Sequence, residues 1–306
     1  MLYDNHLIKK LFSCFDPELE ISGIKTFGGG LYNEAFLVIT QKIPKYKCDK
    51  FVLRIAPPVN IAKLFYEINM MNSEPVIHRL VLDKTSIPAP PIFFWDFSKK
   101  EIESDYLIME FLKGKSGYYS RHELGTFVRQ LHSIEGEHFG YPERGHLQIK
   151  SSWKETFFYY VENIFKDCLN VQAISQNECS WFINIFQKHE NVIKETKPCL
   201  LHLDLWSANI LTENGKITGI LDYDRGMFGD IELEFAVLDT YNNAIDDFFK
   251  GYGLGRPADK EARIRQKLYI VYELIKYAFI RLARGGSPGV SRNHVNQCKS
   301  IIQSIA

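Results

Sequence analysis

The 306-residue chain balances 37 lysines and arginines against 37 aspartates and glutamates, and 45% of it is hydrophobic. That length buries a large core, as one big domain or two lobes, and zero net charge offers no bulk attraction to nucleic acid or an anionic membrane. The six cysteines show no CxxC pair and no zinc-finger spacing, no secretory leader opens the chain, and no apolar run approaches the ~18 residues of a membrane span, so the expectation is a cytoplasmic protein with reduced thiols.

From the N-terminus, Leu7, Leu11, Phe12 and Phe15 recur at helical spacing, which predicts a helix over 2–15 stopped by Asp16-Pro17. A strand over 21–27, a Gly28-Gly29-Gly30 turn and a returning strand over 33–40 come next. Such a turn lets backbone amides approach a phosphate, and it serves equally as a plain flexible turn. The run 50–56 alternates, with Phe51, Leu53 and Ile55 on one face and Arg54 a lone cation on the other, either an edge-strand arginine in solvent or a residue with an anion to hold. Pro75, beside Glu74, implies that a helix begins or kinks there. Pro88, Pro90 and Pro91 lead into a short segment over 92–95, and 106–109 reads as a buried strand.

The second half reads as mainly helical. Leu124, Phe127, Val128, Leu131 and Ile134 mark a helix over 124–134. The stretches 153–165 and 179–193 are aromatic-rich and helical, and Phe157 to Tyr160 suit either core packing or stacking on sugar faces. In 231–247, Glu232, Glu234, Asp239, Asp246 and Asp247 alternate with apolar residues, as on a helix with a solvated face or as an acidic wall for a cationic ligand. The apolar helix over 268–282 carries Glu273 inside its pattern. An unpaired buried charge is too costly, so Glu273 pairs with a cation or faces a cleft.

The densest chemistry lies in 200–230. Ile210-Leu211 and Ile217 to Leu221 read as two short strands joined by Glu213-Asn214-Gly215-Lys216, a hairpin signal. The hairpin brings Asn209, just before its first strand, close to Asp222 at the end of its second, with Asp204 five residues upstream of Asn209. Two carboxylates and an amide on such a frame suit phosphoryl transfer, which needs an acceptor for the substrate hydroxyl proton and oxygen ligands for magnesium.

His202-Leu203-Asp204-Leu205 with Asn209, then Ile220-Leu221-Asp222-Tyr223 and Gly229-Asp230, resembles the signature of the aminoglycoside phosphotransferase family of kinase-like enzymes, and 209–230 is most similar to its hygromycin-B phosphotransferases. The resemblance implies an α+β, bilobal protein-kinase-like fold. Residues 1–112 would form a mainly antiparallel, nucleotide-covering sheet lobe, and 113–306 a larger, mainly helical catalytic lobe. It also implies Asp204 as the catalytic carboxylate, Asn209 and Asp222 as magnesium ligands, and His202 and Asp230 as support behind the catalytic loop. Gly28, Gly29 and Gly30 would cover the nucleotide, while Glu110 and Leu112, in the hinge, would offer backbone groups to the base of ATP or GTP. Arg54, standing where such kinases usually have lysine, would grip the phosphates and pair with Glu74, with Glu67 as second choice. Asp224, Glu232, Glu234 and Glu273 are the acidic candidates for contact with the acceptor. Two positions depart from the family: Leu203, where relatives usually show Gly or Ala, and Glu234, where they usually show Asp.

The function implied is transfer of the terminal phosphoryl group of ATP or GTP, with magnesium, to a hydroxyl of a small molecule. An aminoglycoside-type antibiotic stands first as acceptor, in a monomer or weak homodimer without nucleic-acid or membrane partners. A macrolide, a fructosamine or a metabolite alcohol is the alternative, and Leu205-Trp206-Ser207 is similar to the fructosamine kinases. A nucleotide-binding pseudo-enzyme is the third reading.

Overall fold

The computed structural model describes residues 3–27, 32–42, 44–58 and 60–305. Gly28, Gly29 and Gly30 lie outside the described residues. The chain opens with helix α1 (Asn5–Phe15), whose Asp4 caps the first turn by accepting the Leu7 N–H at 2.8 Å. Strands β1 (Ile21–Phe27), β2 (Glu34–Thr40) and β3 (Lys50–Ile55) then pair antiparallel in sequence order. Helix α2 (Glu74–Lys84) starts at Glu74 with Pro75 in its first turn, where the missing N–H costs nothing. Strands β4 (Ile92–Asp96) and β5 (Tyr106–Glu110) complete a five-stranded antiparallel sheet in the order β1-β2-β3-β5-β4. The alternation read in 50–56 is its physical cause: Phe51, Leu53 and Ile55 are buried against Phe12, Phe36 and Val38 in one core beneath α1.

The chain leaves the sheet through Phe111 and enters the second lobe at β6 (Lys115–Ser116), which pairs with the catalytic hairpin rather than with the first sheet. Helices α3 (Arg121–His132), α4 (Trp153–Asn170) and α5 (Gln176–Lys188) follow, each capped by a serine that accepts an N–H of the first turn. The short strand β7 (Cys199–Leu201) leads into the motif, β8 (Ile210–Glu213) and β9 (Lys216–Ile220) form its hairpin, and β10 (Met227–Gly229) returns to pair with β7. The hairpin turn has Asn214 at φ 52° and Gly215 at φ 78°, the left-handed pair that matches strand twist in a two-residue loop. Helices α6 (Ile231–Thr240), α7 (Asp246–Tyr252), α8 (Lys260–Ala283) and α9 (Pro288–Gln303) complete the lobe. Its largest core gathers Trp153, Phe157, Phe165, Phe182, Tyr269 and Ile275 from α4, α5 and α8. Phe157 and Tyr160 are fully buried there, which makes core packing the role of those two rings. No helix among the described residues is long and apolar enough to cross a membrane.

The architecture is therefore bilobal and kinase-like: an antiparallel sheet with one intervening helix, then a helical lobe, with the catalytic hairpin facing the junction.

Candidate active site

The hairpin fixes the first part of the site. The Leu221 N–H donates to the Asn209 carbonyl at 2.9 Å, so the residue before β8 is tied to the one preceding Asp222. Both amide hydrogens of Asn209 go to Asp204, one to the carbonyl oxygen at 2.9 Å and one to Oδ2 at 2.7 Å. Its side-chain oxygen is then the atom left for a cation. Asp222 sits at φ 66°, a left-handed conformation that aspartate tolerates, and this turns the chain sharply into Tyr223–Arg225. Gly226 lets that turn press on α2, since a Cβ there would come within 2.7 Å of Ile77 Cδ1.

His202 joins the two halves from behind. Its Nδ1 accepts the Asp204 N–H at 3.2 Å, so the proton sits on Nε2, which donates to the Leu221 carbonyl at 3.0 Å. Burial keeps the imidazole below its ordinary pKa and hence neutral. Asp230, expected beside it as support, lies one step further back. It caps α6 by accepting the Glu232 N–H at 3.0 Å and takes the Tyr269 hydroxyl at 2.8 Å.

The direct brace of the catalytic loop is Glu234. Its carboxylate receives the backbone N–H groups of His202 at 2.5 Å and Leu203 at 3.1 Å, and the side chain is fully buried. Leu203 itself is held at φ 62° with its side chain in the core, an arrangement that costs a bulky residue about 1–2 kcal/mol. An inverted order follows for substitutions there. Leu203→Ala keeps the backbone cost and loses the packing, whereas Leu203→Gly relieves the backbone, so glycine is expected to be the more stable by about 1 kcal/mol in urea unfolding.

Arg54 bridges the lobes. From β3 it donates to Glu74 at 2.5 Å and to Asp222 at 2.6 Å, with Asp224 at 3.4 Å. The pairing with Glu74 is thus decided over Glu67, which instead caps Leu64 and meets Arg284. Burial pushes the Asp222 carboxyl up, but the Arg54 charge, together with the neighbouring His202 and hydrogen bonds from Arg54 and Asp224, holds the group below the usual range. Burial and the neighbouring Asp222 charge push the Asp224 carboxyl well above that range. Asn33, just before β2, donates to Asp224 at 3.1 Å. Asp224 therefore shares the cluster of Arg54, Asp222 and Asn33, whereas the sequence grouped it with Glu232, Glu234 and Glu273.

Glu74, Asp222 and Asp224 bring one oxygen each within 4.8 Å of one another, with the single positive charge of Arg54 among them. Three hard oxygen donors and an excess of negative charge fit magnesium by chemistry. With Asn209 alongside, the residues present suit the ion implied by the sequence.

The remaining acidic candidates do not form a wall. Glu232 is paired with Arg265 at 2.5 Å, Asp239 with Arg256 at 2.8 Å, and Glu234 is spent on the loop amides. Glu273 binds Arg225 at 2.8 Å and also Lys276, which answers the need of a buried carboxylate for a cation. The acceptor-wall expectation for Glu232, Glu234 and Glu273 is corrected accordingly: alternation along 231–247 reflected α6 facing the interior, not a cleft. Glu110 ends β5 at the exit to the second lobe, and Leu112 packs against Gly219 of the hairpin, where a Cβ would lie 3.1 Å from Leu112 Cδ1. Between them Phe111 stacks on Phe27, the last residue of β1, at 6.3 Å and 9°.

Sequence reasoning missed two arginines. Arg225 donates to Asp204 Oδ1 at 3.2 Å and so touches the carboxylate that the sequence singles out as catalytic. The signal was present, because Glu273 called for a cation and Arg225 lies inside the motif. Arg144 is buried, donates to the carbonyls of Tyr66, Met70 and Asp224, and lies 4.1 Å from the Tyr141 ring. It pins the turn after Asp222 to the segment leading into α2, and nothing in its local sequence marks it.

Burial sets one pH dependence. The Asp230 carboxyl is pushed up to about 6. Because this exceeds the unfolded value of about 3.9, its contribution is full below that value and is lost as pH rises through the folded one. Asp230→Asn is expected to remove that component, seen as a difference from the native protein in urea midpoints across this window.

A lone buried cation reaching from the sheet lobe to a carboxylate–amide–carboxylate hairpin defines, with this fold, a kinase-like phosphotransferase. A solved structure of aminoglycoside phosphotransferase APH(4)-Ia matches it with a TM-score of 0.66 at 16% identity, over 99% of this chain and 100% of that one, a likeness of fold alone. The chain belongs to the fructosamine kinase family, whose model matches residues 5–286. The Staphylococcus aureus protein named "Probable ketoamine kinase" is 26% identical over 275 residues, 85% of this chain and 88% of that one. Hygromycin-B 4-O-kinase of Escherichia coli reaches 49% identity, but over 37 residues, 12% of this chain and 11% of that protein. The hygromycin-like run is thus a local likeness inside a fructosamine kinase, and these relatives lend no support to a role in antibiotic resistance. The chain is a small-molecule kinase acting on an alcohol group.

Proposed function

We propose that the protein transfers the terminal phosphoryl group of ATP or GTP to a hydroxyl of a ketoamine, a sugar joined to an amine. The observation that carries the choice of acceptor is the pairing of four of the acidic wall candidates. Glu232, Asp239 and Glu273 are neutralised by cations and Glu234 is spent on the loop amides, so of the acidic run only Asp246 and Asp247, exposed at the start of α7, are left to attract a polycationic aminoglycoside. A ketoamine needs none of that wall, and the family match points the same way.

In this reading Asp204 takes the proton of the acceptor hydroxyl, and Asn209 orients its carboxylate. Asn209 and Asp222 would hold magnesium, with Asp224 beside them, and the ion would supply positive charge against the negative charge developing on the phosphates. Arg54, anchored by Glu74, offers its guanidinium to the phosphates, which suits bidentate contact. The backbone of Glu110 and Leu112 receives the base. The lobe boundary falls at 112/113, and the working unit is a monomer or weak homodimer in the cytoplasm.

The test is phosphate transfer from labelled ATP and GTP, with magnesium, to fructosyl and ribulosyl lysine, hygromycin B, gentamicin and a macrolide. Labelling of the ketoamines above the antibiotics is expected. Labelling of an aminoglycoside alone would overturn the acceptor assignment and leave the kinase chemistry standing.

A further inference from the structure

We propose that Arg225 is a catalytic cation of the transfer, one that supports the charge arriving on the phosphoryl group as Asp204 takes the acceptor's proton. The inference rests on Asp204 being the proton acceptor. A hydroxyl that gives its proton to Asp204 must bring its oxygen within about 2.6–3.2 Å of a carboxylate oxygen. Oδ2 is already held by Asn209 at 2.7 Å, which leaves Oδ1, the oxygen facing Arg225 at 3.2 Å. Acceptor oxygen and guanidinium therefore converge on the same atom.

The anchoring of Arg225 makes this more than a contact. Nη2 donates to Glu273 Oε2 at 2.8 Å and Nη1 lies 3.4 Å from Oε1, so the guanidinium is aligned along a fixed carboxylate. Glu273 is itself buried and shared with Lys276. Two cations thus stand on one anion, and Asp204 balances the second. The Arg225 Nε–H is buried and has no partner among the described residues, so one donor remains uncommitted.

The step then balances. The acceptor oxygen forms its bond to the terminal phosphorus, and the bond from that phosphorus to the bridging oxygen breaks. Its electron pair leaves on the nucleoside diphosphate, and the hydroxyl proton goes to Asp204. As Asp204 becomes neutral, the cluster of Arg225, Lys276 and Glu273 is left with one net positive charge beside the transferring group. A positive charge that becomes available only as the reaction proceeds favours the transition state over the ground state.

The experiment compares native protein, Arg225→Ala, Arg225→Lys and Asp204→Asn in labelled-ATP transfer to fructosyl lysine. Hydrolysis of ATP by water is measured beside it as a second acceptor reaction. For Arg225→Ala, kcat is expected to fall by about 10²–10³-fold with the nucleotide KM within about threefold. Millimolar guanidinium is expected to restore at least about tenfold in Arg225→Ala and nothing in Asp204→Asn. Arg225→Lys, which keeps a charge on Glu273, is expected to fall between native and alanine and keeps the test open should the alanine variant fail to fold. A kcat within about threefold of native in the Arg225 variants, beside an inactive Asp204→Asn, overturns the inference alone. So does a loss that lies in the nucleotide KM and ignores guanidinium. A fully active Asp204→Asn overturns the reading beneath it.

Discussion

With Asp204 replaced by asparagine, nucleotide binding is expected to persist while phosphate transfer falls by about 10²–10⁴-fold, the range of general-base loss. The shape of the side chain is preserved, so the effect isolates its chemistry. Asp204 accepts from two donors, Asn209 Nδ2 on one oxygen and Arg225 Nη1 on the other. An amide has a single acceptor oxygen and an NH₂ group that can only donate. One of the two neighbours must then face a donor, and no oxygen remains to take a proton from the acceptor. Melting temperature is expected to drop by several degrees, because the part-buried Asp204 loses its charge beside Arg225, and a hydrogen bond to a charged group is worth about 1.5–3 kcal/mol. Labelled transfer and fluorescent-nucleotide titration on the same preparation check both halves. Retention of the native rate would remove Asp204 from the chemistry, and loss of nucleotide binding would move it to the phosphate end of the cleft.

What the sequence made legible divides along physical lines. Period-two alternation in 50–56 fixed β3 and set Arg54 on the face opposite Phe51, Leu53 and Ile55, and the Asn-Gly pair fixed the β8–β9 hairpin, because each is a local steric preference. The closeness of Asn209 to Asp222 followed from that hairpin, whereas the pairing of Arg54 with Glu74 rested on the family resemblance, with Glu67 left open until the fold decided it. Partnerships across long separations were not legible. Glu232 to Arg265, Asp239 to Arg256 and Glu273 to Arg225 depend on how α6, α8 and the motif loop face one another. The acidic run therefore looked like a wall for a cationic ligand when Glu232 and Asp239 had cations waiting elsewhere in the chain and Glu234 had two backbone amides. The family match favours the fructosamine alternative over the aminoglycoside placed first, for a related reason. A run of identity with hygromycin kinases sits in the hairpin that carries phosphate chemistry, and such chemistry is shared by enzymes with different acceptors.

Glu234 carries the second large effect. The resemblance to the aminoglycoside phosphotransferases implies an aspartate here, and the longer glutamate reaches two amides at once, those of His202 and Leu203. The reach matters because Leu203 is left-handed and both N–H groups are buried, with Glu234 the acceptor they share. Glu234→Ala leaves both N–H groups buried and unsatisfied, at about 1–3 kcal/mol each, which is a large part of a typical stability of about 5–15 kcal/mol. It also frees the loop one residue before Asp204, and a displacement of about 1 Å at a reacting group costs on the order of 10²-fold in rate. Glu234→Asp keeps the charge but shortens the arm by one C–C bond, about 1.5 Å. It is expected to hold one amide and not both, with stability and kcat between native and alanine. Chemical unfolding and kcat at saturating nucleotide on the pair of variants check this order. If aspartate matches native protein in both, the loop closes on a shorter brace by itself, and the bulk of Leu203 rather than the length of Glu234 sets its position.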